Sequence, residues 1–138
     1  MQMTEIATAA FLKALADPTR LRILNLLGPG PLCVCNIEQV LGITQTAASR
    51  HLARLQSVGI LESERRAQWV YYWISQEYLR RHAPLMDYLE REFREDPQFV
   101  RDREEFTLRT ESGSLCAPRP AAADKATLST TNNKENES

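Results

Sequence analysis

The segment LCVCNIEQVLGITQTAASRHLARLQSVG, residues 32–59, decides the fold of this chain. Apolar residues repeat at helical spacing on both sides of Gly42, in Ile37–Leu41 and in Leu52–Leu55, and Thr44 is a suitable N-cap for the second helix. Two helices joined by a short turn, the second with a polar and basic outer face, are typical of a helix-turn-helix that places its second helix in the DNA major groove. An ordinary helical hairpin has the same pattern, so this segment alone leaves both interpretations open.

A β-hairpin is predicted directly after the second helix. Residues 60–75 are rich in β-branched and aromatic side chains, most densely in Trp69–Ile74, and a turn is expected at Arg65–Gln68. The hairpin is either a cover for the core or a wing, and the two arginines at its tip favour a wing that contacts DNA. The residues predicted to bind DNA are Gln45, Thr46, Ser49, Arg50, His51 and Arg54 of the second helix and Arg65, Arg66 and Gln68 of the hairpin.

Four more helical segments and a tail complete the predicted organisation. The helices are expected over Thr4–Ala16, from Pro18 to Leu27, over Gln76–Glu95 with a break at Pro84, and over Phe99–Arg109. From Thr110 onwards the composition turns to Ser, Ala, Pro, Thr, Asn and Glu, which cannot bury enough apolar surface to offset the entropy of ordering. We therefore predict one mainly α-helical domain with a β-hairpin wing over residues 1–109, followed by a disordered tail over residues 110–138.

Composition restricts the class of protein. The net charge of the 138-residue chain is −1, but residues 1–75 carry seven Lys and Arg against five Asp and Glu, so the basic excess lies with the helix pair. The N-terminus does not resemble a signal peptide, and no apolar stretch approaches the roughly 20 residues that span a bilayer. No Gly-rich phosphate loop or other arrangement of catalytic groups is visible. These features predict a cytoplasmic protein that is not an enzyme and has no membrane partner.

The apolar helices at the two ends of the domain predict a homodimer. Ile6–Leu15 and Tyr78–Phe93 both present apolar faces, and a monomer of this size has little left to cover them. We expect Leu89 to lie in the interface. A symmetric dimer suits double-stranded operator DNA with two half-sites.

The motif Cys33-Val34-Cys35 lies where the loop enters the first helix of the pair. Side chains two residues apart point about 200° apart in a helix but to the same side in an extended strand. The two thiols can therefore bind one soft ion only where the helix has not begun or is unwound. Two buried cysteines acting as small apolar residues are the alternative.

Other cysteine chemistry has less support in the sequence. Three cysteines argue against a disulfide framework and for thiol chemistry or metal binding. Zinc is poorly supported, because His51 and His82 stand apart from the cysteines and from each other.

Four segments in order resemble the ArsR/SmtB family of metal-responsive winged-helix repressors. They are ALADPTRLRILNLL (14–27), LCVCNIEQVL (32–41), TQTAASRHLARLQSVGIL (44–61) and RRAQWVYYWI (65–74). The resemblance implies a winged helix-turn-helix homodimer that occupies an operator and leaves it when a metal or metalloid binds. One departure is Ala67 in the wing turn, where the family often has Gly.

The Leu-Cys-Val-Cys segment resembles the arsenite- and antimonite-sensing branch of that family. The resemblance implies that Cys33 and Cys35 ligate As(III) or Sb(III), whereas Ile37 stands where that branch has a third cysteine. The third ligand is Cys116, a small-molecule thiol or solvent. Because Cys116 lies in the predicted tail and its docking would cost entropy, we expect a site without it.

Two alternatives remain open at this stage. One is a repressor that responds to Cd(II) or Pb(II), although residues 1–32 lack the N-terminal cysteines that the corresponding branch uses. The other is a thiol-redox-sensing repressor without a metal effector, in which Cys33 and Cys35 become oxidised.

Overall fold

The computed structural model describes residues 6–118 and 120, which form helices around a small antiparallel sheet. In chain order the elements are α1 (Ala7–Leu15), α2 (Pro18–Leu27), β1 (Leu32–Cys33), α3 (Val34–Leu41), α4 (Gln45–Ser57), β2 (Leu61–Arg66), β3 (Trp69–Ile74), α5 (Gln76–Arg81), α6 (Ala83–Glu95) and α7 (Pro97–Ser112). The sheet order is β1-β3-β2. The predicted mainly α-helical winged helix-turn-helix, with a β-hairpin as its wing, is confirmed.

Local capping chemistry fixes the helix boundaries around the helix pair. The Asp17 carboxylate accepts a hydrogen bond from the Arg20 amide at 3.0 Å, and Pro18 opens α2. The Thr44 hydroxyl accepts one from the Ala47 amide at 3.1 Å and caps α4. Gly42 has a φ of +68°, a left-handed conformation that ends α3 at little steric cost.

The core lies beneath α4, where α2, α3 and the sheet converge. Ala48, Leu52 and Leu55 of α4 are fully buried, as their helical spacing predicts. The other side chains with no exposed surface include Ile23, Leu24, Leu26, Ile37 and Ile60. This packing turns the opposite face of α4 towards solvent.

Strand β3 of the hairpin is paired on both of its edges. β2 and β3 pair from Leu61 with Ile74 to Arg66 with Trp69. On the other edge of β3, Cys33 of β1 pairs with Tyr71. The same strand therefore supports the wing and positions the cysteine motif.

The C-terminal helices differ from the prediction in extent. The break at Pro84 is confirmed, since α5 ends at Arg81 and α6 begins at Ala83. Helix α7, however, runs through Arg109 to Ser112, so the predicted end of the domain falls inside a helix. Within the described chain, no helix is long and apolar enough to cross a bilayer.

An ion pair anchors α7 to α2. The Arg22 guanidinium donates to both carboxylate oxygens of the buried Asp102, at 2.8 and 2.9 Å, and these bonds raise the pKa of Arg22. A bidentate pair of this kind fixes orientation as well as distance. The sequence predicts Val100 and Phe106 as the only strong anchors of this helix, and the ion pair between distant segments was not predicted. Residues 121–138 of the predicted tail lie outside the described residues.

Leu89 is not available for a partner chain. It is only 8% exposed and packs with Met86 and Phe93 of α6 in the core. The prediction that Leu89 lies in a dimer interface was wrong, because α7 extends the core over this face of α6. The large apolar side chains that are exposed in the described chain are Ile6, Leu12, Tyr88 and Leu108.

The wing turn yields a stability prediction. Ala67 has a φ of +54°, whereas Gln68 is not among the described residues with positive φ. Because a left-handed alanine is strained, Ala67→Gly should stabilise the domain by about 0.5–1 kcal/mol, after allowing for the extra freedom of glycine in the unfolded chain. Urea denaturation measures the difference. The matched control Gln68→Gly should destabilise; stabilisation by both variants would show that turn strain is not the cause.

Candidate DNA-binding surface and cysteine site

The outer face of α4 is polar, exposed and positively charged. Gln45, Thr46, Ser49 and Arg50 are exposed on the side opposite the buried stripe, as predicted from their spacing. Arg54 of the same helix is half-buried. Arg50 has no ionic partner within residues 6–118 and 120, so its charge is available to a base edge or a phosphate.

The wing continues this surface beyond α4. Arg65 and Gln68 are exposed at its tip, and Arg66 is half-buried with its Nε 3.2 Å from the Glu64 carboxylate. A hydrogen bond of 3.2 Å from Gln56 of α4 to the Ser63 hydroxyl of β2 connects the helix to the wing. The predicted residues of α4 and the hairpin thus form one surface, except for His51.

His51 packs locally instead of joining the exposed face. Its side chain is only 15% exposed, its Nδ1 lies 3.1 Å from Arg20 Nη1, and the Asp17 carboxylate lies 4.0 Å away. These contacts place His51 between α4 and the start of α2. We therefore withdraw it from the predicted DNA-binding set, since sequence spacing cannot show which neighbour a residue at the edge of a helix face meets.

The cysteine motif lies across a junction between strand and helix. Cys33 ends β1 with extended backbone angles and stands at the N-cap of α3, where its side chain makes no capping bond. Cys35 lies in the first turn of α3. Both belong to a small cluster with Trp69, Tyr71 and Ala117. The helix has therefore not begun at Cys33. Two thiols at this spacing can bind one ion only where the backbone between them is not fully helical, and this position meets that requirement.

A segment from beyond α7 completes this cluster. Cys116 forms a disulfide with Cys35, and Cys33 is the free, buried cysteine of the described chain. This pairing was not predicted from the sequence, where three cysteines argue against a disulfide framework. Within residues 6–118 and 120 no group of three His, Cys, Asp or Glu side chains is arranged to hold a metal ion. A site with Cys33, Cys35 and Cys116 as ligands therefore requires the disulfide to be reduced first.

Polar side chains of α3 hold residues 114–118, which we call the C-terminal segment. The buried Asn36 amide donates to the Ala117 carbonyl at 3.1 Å and accepts from the Ala117 amide at 3.0 Å. Gln39 donates to the Ser114 carbonyl at 2.7 Å and accepts from the Cys116 amide at 3.0 Å. The roles of Asn36 and Gln39 were not predicted from the sequence. The sequence feature that could have indicated them is two amide side chains three residues apart on α3.

Tyr71 of β3 holds the far end of this segment. Its hydroxyl donates to the Pro118 carbonyl at 2.7 Å. Burial raises the pKa of Tyr71 and the neighbouring Cys33 raises it further, while Arg66 opposes the shift. The phenol therefore stays protonated and able to donate at neutral pH.

One groove joins the cysteine motif to the DNA-binding surface. It has a volume of about 290 Å³ and is lined by residues of α3, α4 and the wing. Cys33 and Cys35 lie in the same groove as Gln45, Ser49 and Arg65. A change at the thiols is thus adjacent to the side chains predicted to contact DNA.

Comparison with known proteins places this architecture in a family. The model of the bacterial regulatory protein arsR family matches residues 17–63. An uncharacterised helix-turn-helix-type transcriptional regulator of Methanocaldococcus jannaschii is 38% identical over 90 residues, which cover 64% of this chain and all of that protein. The chain belongs to the ArsR family.

Two further relatives bear on the ArsR assignment. The arsenic resistance transcriptional regulator ArsR1 of Pseudomonas putida is 46% identical over 77 residues, covering 54% of this chain and 60% of that regulator. The solution structure of a homodimeric winged helix-turn-helix DNA-binding domain from Mycobacterium bovis, described as a possible ArsR-family transcriptional regulator, is 32% identical. The structural match covers 67% of this chain and 92% of that domain, with a TM-score of 0.55.

The exposed cation of α4 gives a prediction about DNA. Arg50→Ala should weaken binding to operator DNA by roughly 1–3 kcal/mol if the guanidinium reads a base. Fluorescence anisotropy with the promoter adjacent to the chain's own gene measures the affinity. Ala53→Ser, at an exposed position of the same helix, is the control for non-specific effects. Unchanged affinity in Arg50→Ala would remove Arg50 from the interface.

Proposed function

We propose that this ArsR-family chain is a cytoplasmic transcriptional repressor that binds double-stranded operator DNA as a homodimer and is released by As(III) or Sb(III). The observation that carries the proposal is the position of Cys33 and Cys35, across the start of α3 and in the same groove as the exposed face of α4. The similarity to the arsenic resistance regulator of Pseudomonas putida supports the choice of effector.

The donor set suits a soft metalloid once Cys35 is reduced. Cys33 and Cys35 would be the ligands, and As(III) would supply a thiophilic centre that holds two thiolates together. Cys33 is extended and Cys35 helical, so bringing their sulfurs to one point requires the first turn of α3 to move. No side chain caps that turn, which lowers the cost of deforming it.

Movement of α3 reaches DNA through α4. The two helices pack against each other across the turn at Gly42, and α4 carries Arg50 and the other predicted contacts. A ligand that favours a displaced α3 therefore disfavours the orientation of α4 that fits the major groove. This is a coupling free energy between two sites that share one structural element.

Cys116 is our proposed third ligand. The expectation that it stays out of the site depended on a disordered linker, and residues 110–118 do not fit that description. The C-terminal segment brings Cys116 next to Cys35, and its Sγ lies 3.1 Å from Asn36 Oδ1. Three thiolates are a coordination that suits a metalloid of this kind, without a ligand from solution.

The exposed apolar side chains indicate the dimer surface. Ile6 at the N-cap of α1, Leu12 on α1 and Tyr88 on α6 are at least half exposed, with Ile6 reaching 73%. These are the two helices whose apolar faces predict dimerisation from sequence. The homodimeric relative from Mycobacterium bovis supports the same assembly.

The effector proposal predicts the behaviour of cysteine variants. Cys33→Ser and Cys35→Ser, studied in reduced form, should each bind the operator like the parent, since serine is nearly isosteric and can cap α3. Each should lose release by arsenite, because the first turn of α3 moves only when the sulfurs of both Cys33 and Cys35 bind the same ion. Mobility shift with As(III), Sb(III), Cd(II) and Zn(II) measures release and selectivity.

The same assay separates the alternatives. Release of the reduced parent by Cd(II) but not As(III) would replace the effector with cadmium. Release by an oxidant alone, with no response to any of the four ions, would favour a thiol-redox sensor. Release of either serine variant by arsenite at the parent's concentration would contradict the proposed site.

The dimer proposal predicts a change of assembly at one surface. Tyr88→Glu should shift the protein towards monomer and weaken operator binding, because the carboxylate would have to be desolvated in the interface. Sedimentation velocity measures the assembly. Leu108→Glu on α7 is the matched control; if it gives monomer while Tyr88→Glu does not, the interface lies over α7.

A further inference from the structure

We propose that Cys35 and Cys116 form a redox switch that controls whether the metalloid site exists. The inference rests on the proposed effector function, since it concerns regulation of that same site. In its oxidised state the switch is the disulfide between α3 and the C-terminal segment. In its reduced state it returns Cys35 to the Cys33 motif.

The geometry supports a specific pairing and not an accidental one. Asn36 satisfies both polar groups of Ala117, and Gln39 bonds to the backbone on both sides of Leu115. Ala117 is 1% exposed and packs in the cluster that contains Cys33. These contacts involve no sulfur, so the reduced segment can remain on α3 with its thiol close to Cys35.

The pairing is selective among the three cysteines. Cys33 is 3% exposed and faces the cluster with Tyr71, whereas Cys116 is exposed and Cys35 is half-buried. Exposure favours attack by Cys116 on an external oxidant, and proximity favours Cys35 as its partner. Cys33 is left as a thiol that cannot chelate alone.

A low-molecular-weight disulfide can act as the oxidant that forms the Cys35–Cys116 bond by thiol–disulfide exchange. The Cys116 thiolate attacks one sulfur of that disulfide, forming a mixed disulfide and releasing one small thiolate. The Cys35 thiolate then attacks the Cys116 sulfur, forming the Cys35–Cys116 bond and releasing the second small thiolate. Two protein thiols are oxidised and one small disulfide is reduced to two thiols.

The oxidised protein should remain a repressor that arsenite cannot remove. The structure contains the disulfide and also has α3, α4 and the wing in the helix-turn-helix arrangement, so the bond leaves the DNA-binding surface intact. The bond withdraws Cys35 and Cys116, two of the three proposed ligands, and leaves Cys33 alone. In a reducing cytoplasm such a disulfide forms only transiently, so the switch would couple arsenite sensing to thiol status.

Full-length protein with a defined oxidation state tests the switch. The parent is oxidised with glutathione disulfide and desalted, and the intramolecular disulfide form is separated from glutathione adducts by intact mass. Peptide mapping identifies the cysteines joined. Operator anisotropy is then titrated with arsenite without added thiol, for the reduced form, the oxidised form and oxidised protein re-reduced with a phosphine.

We expect a Cys35–Cys116 peptide, equal operator affinity of the two forms, and at least tenfold more arsenite to release the oxidised form. The phosphine should restore the response. Equal release of both forms, or a Cys33–Cys35 peptide, would overturn the redox switch but not the proposed function. Failure of arsenite to release the reduced parent would instead overturn the proposed function.

Tyr71→Phe tests the docking of the C-terminal segment separately. It keeps the ring against Cys33 but removes the hydrogen bond to Pro118. At a fixed ratio of reduced to oxidised glutathione, the Cys35–Cys116 fraction should fall severalfold, while the reduced variant still binds the operator. An unchanged fraction would show that Tyr71 does not position the segment.

Discussion

The pairing of two residues of β1 with β3 is the constraint on which the candidate site depends. It holds Cys33 extended beside Tyr71, so that α3 can begin only at Val34 and Cys35 falls in its first turn. The same strand β3 carries the wing on its other edge. A very short strand thereby sets the geometry of the thiols, the start of α3 and the position of the wing relative to α4.

Sequence alone predicted the parts of the fold that depend on local chemistry. The start of α2 at Pro18, the Thr44 cap, the buried stripe of α4 and the break near Pro84 all follow from neighbouring residues. The exposed residues of α4 also follow, because a helix period fixes which residues lie opposite a buried stripe.

The remainder depended on contacts between distant segments. The Arg22–Asp102 pair joins residues 80 positions apart, and the Asn36 contacts with Ala117 join residues 81 apart. The hydrophobic periodicity of one segment does not show which distant residue its side chains will contact. For this reason sequence alone places the end of the domain inside α7, assigns Leu89 to an interface and includes His51 in the DNA-binding surface.

The anchoring of α7 raises the effective concentration of the Cys116 thiol near Cys35. Cys35 and Cys116 are 81 residues apart in sequence, and a flexible connection of that length would keep the two thiols at a low effective concentration. With α7 fixed to α2 as far as Ser112, only Gly113, Ser114 and Leu115 separate the anchored chain from Cys116. Folding of the domain therefore already supplies most of the entropic cost of bringing Cys116 to Cys35. The two thiols behave as if they were close in sequence.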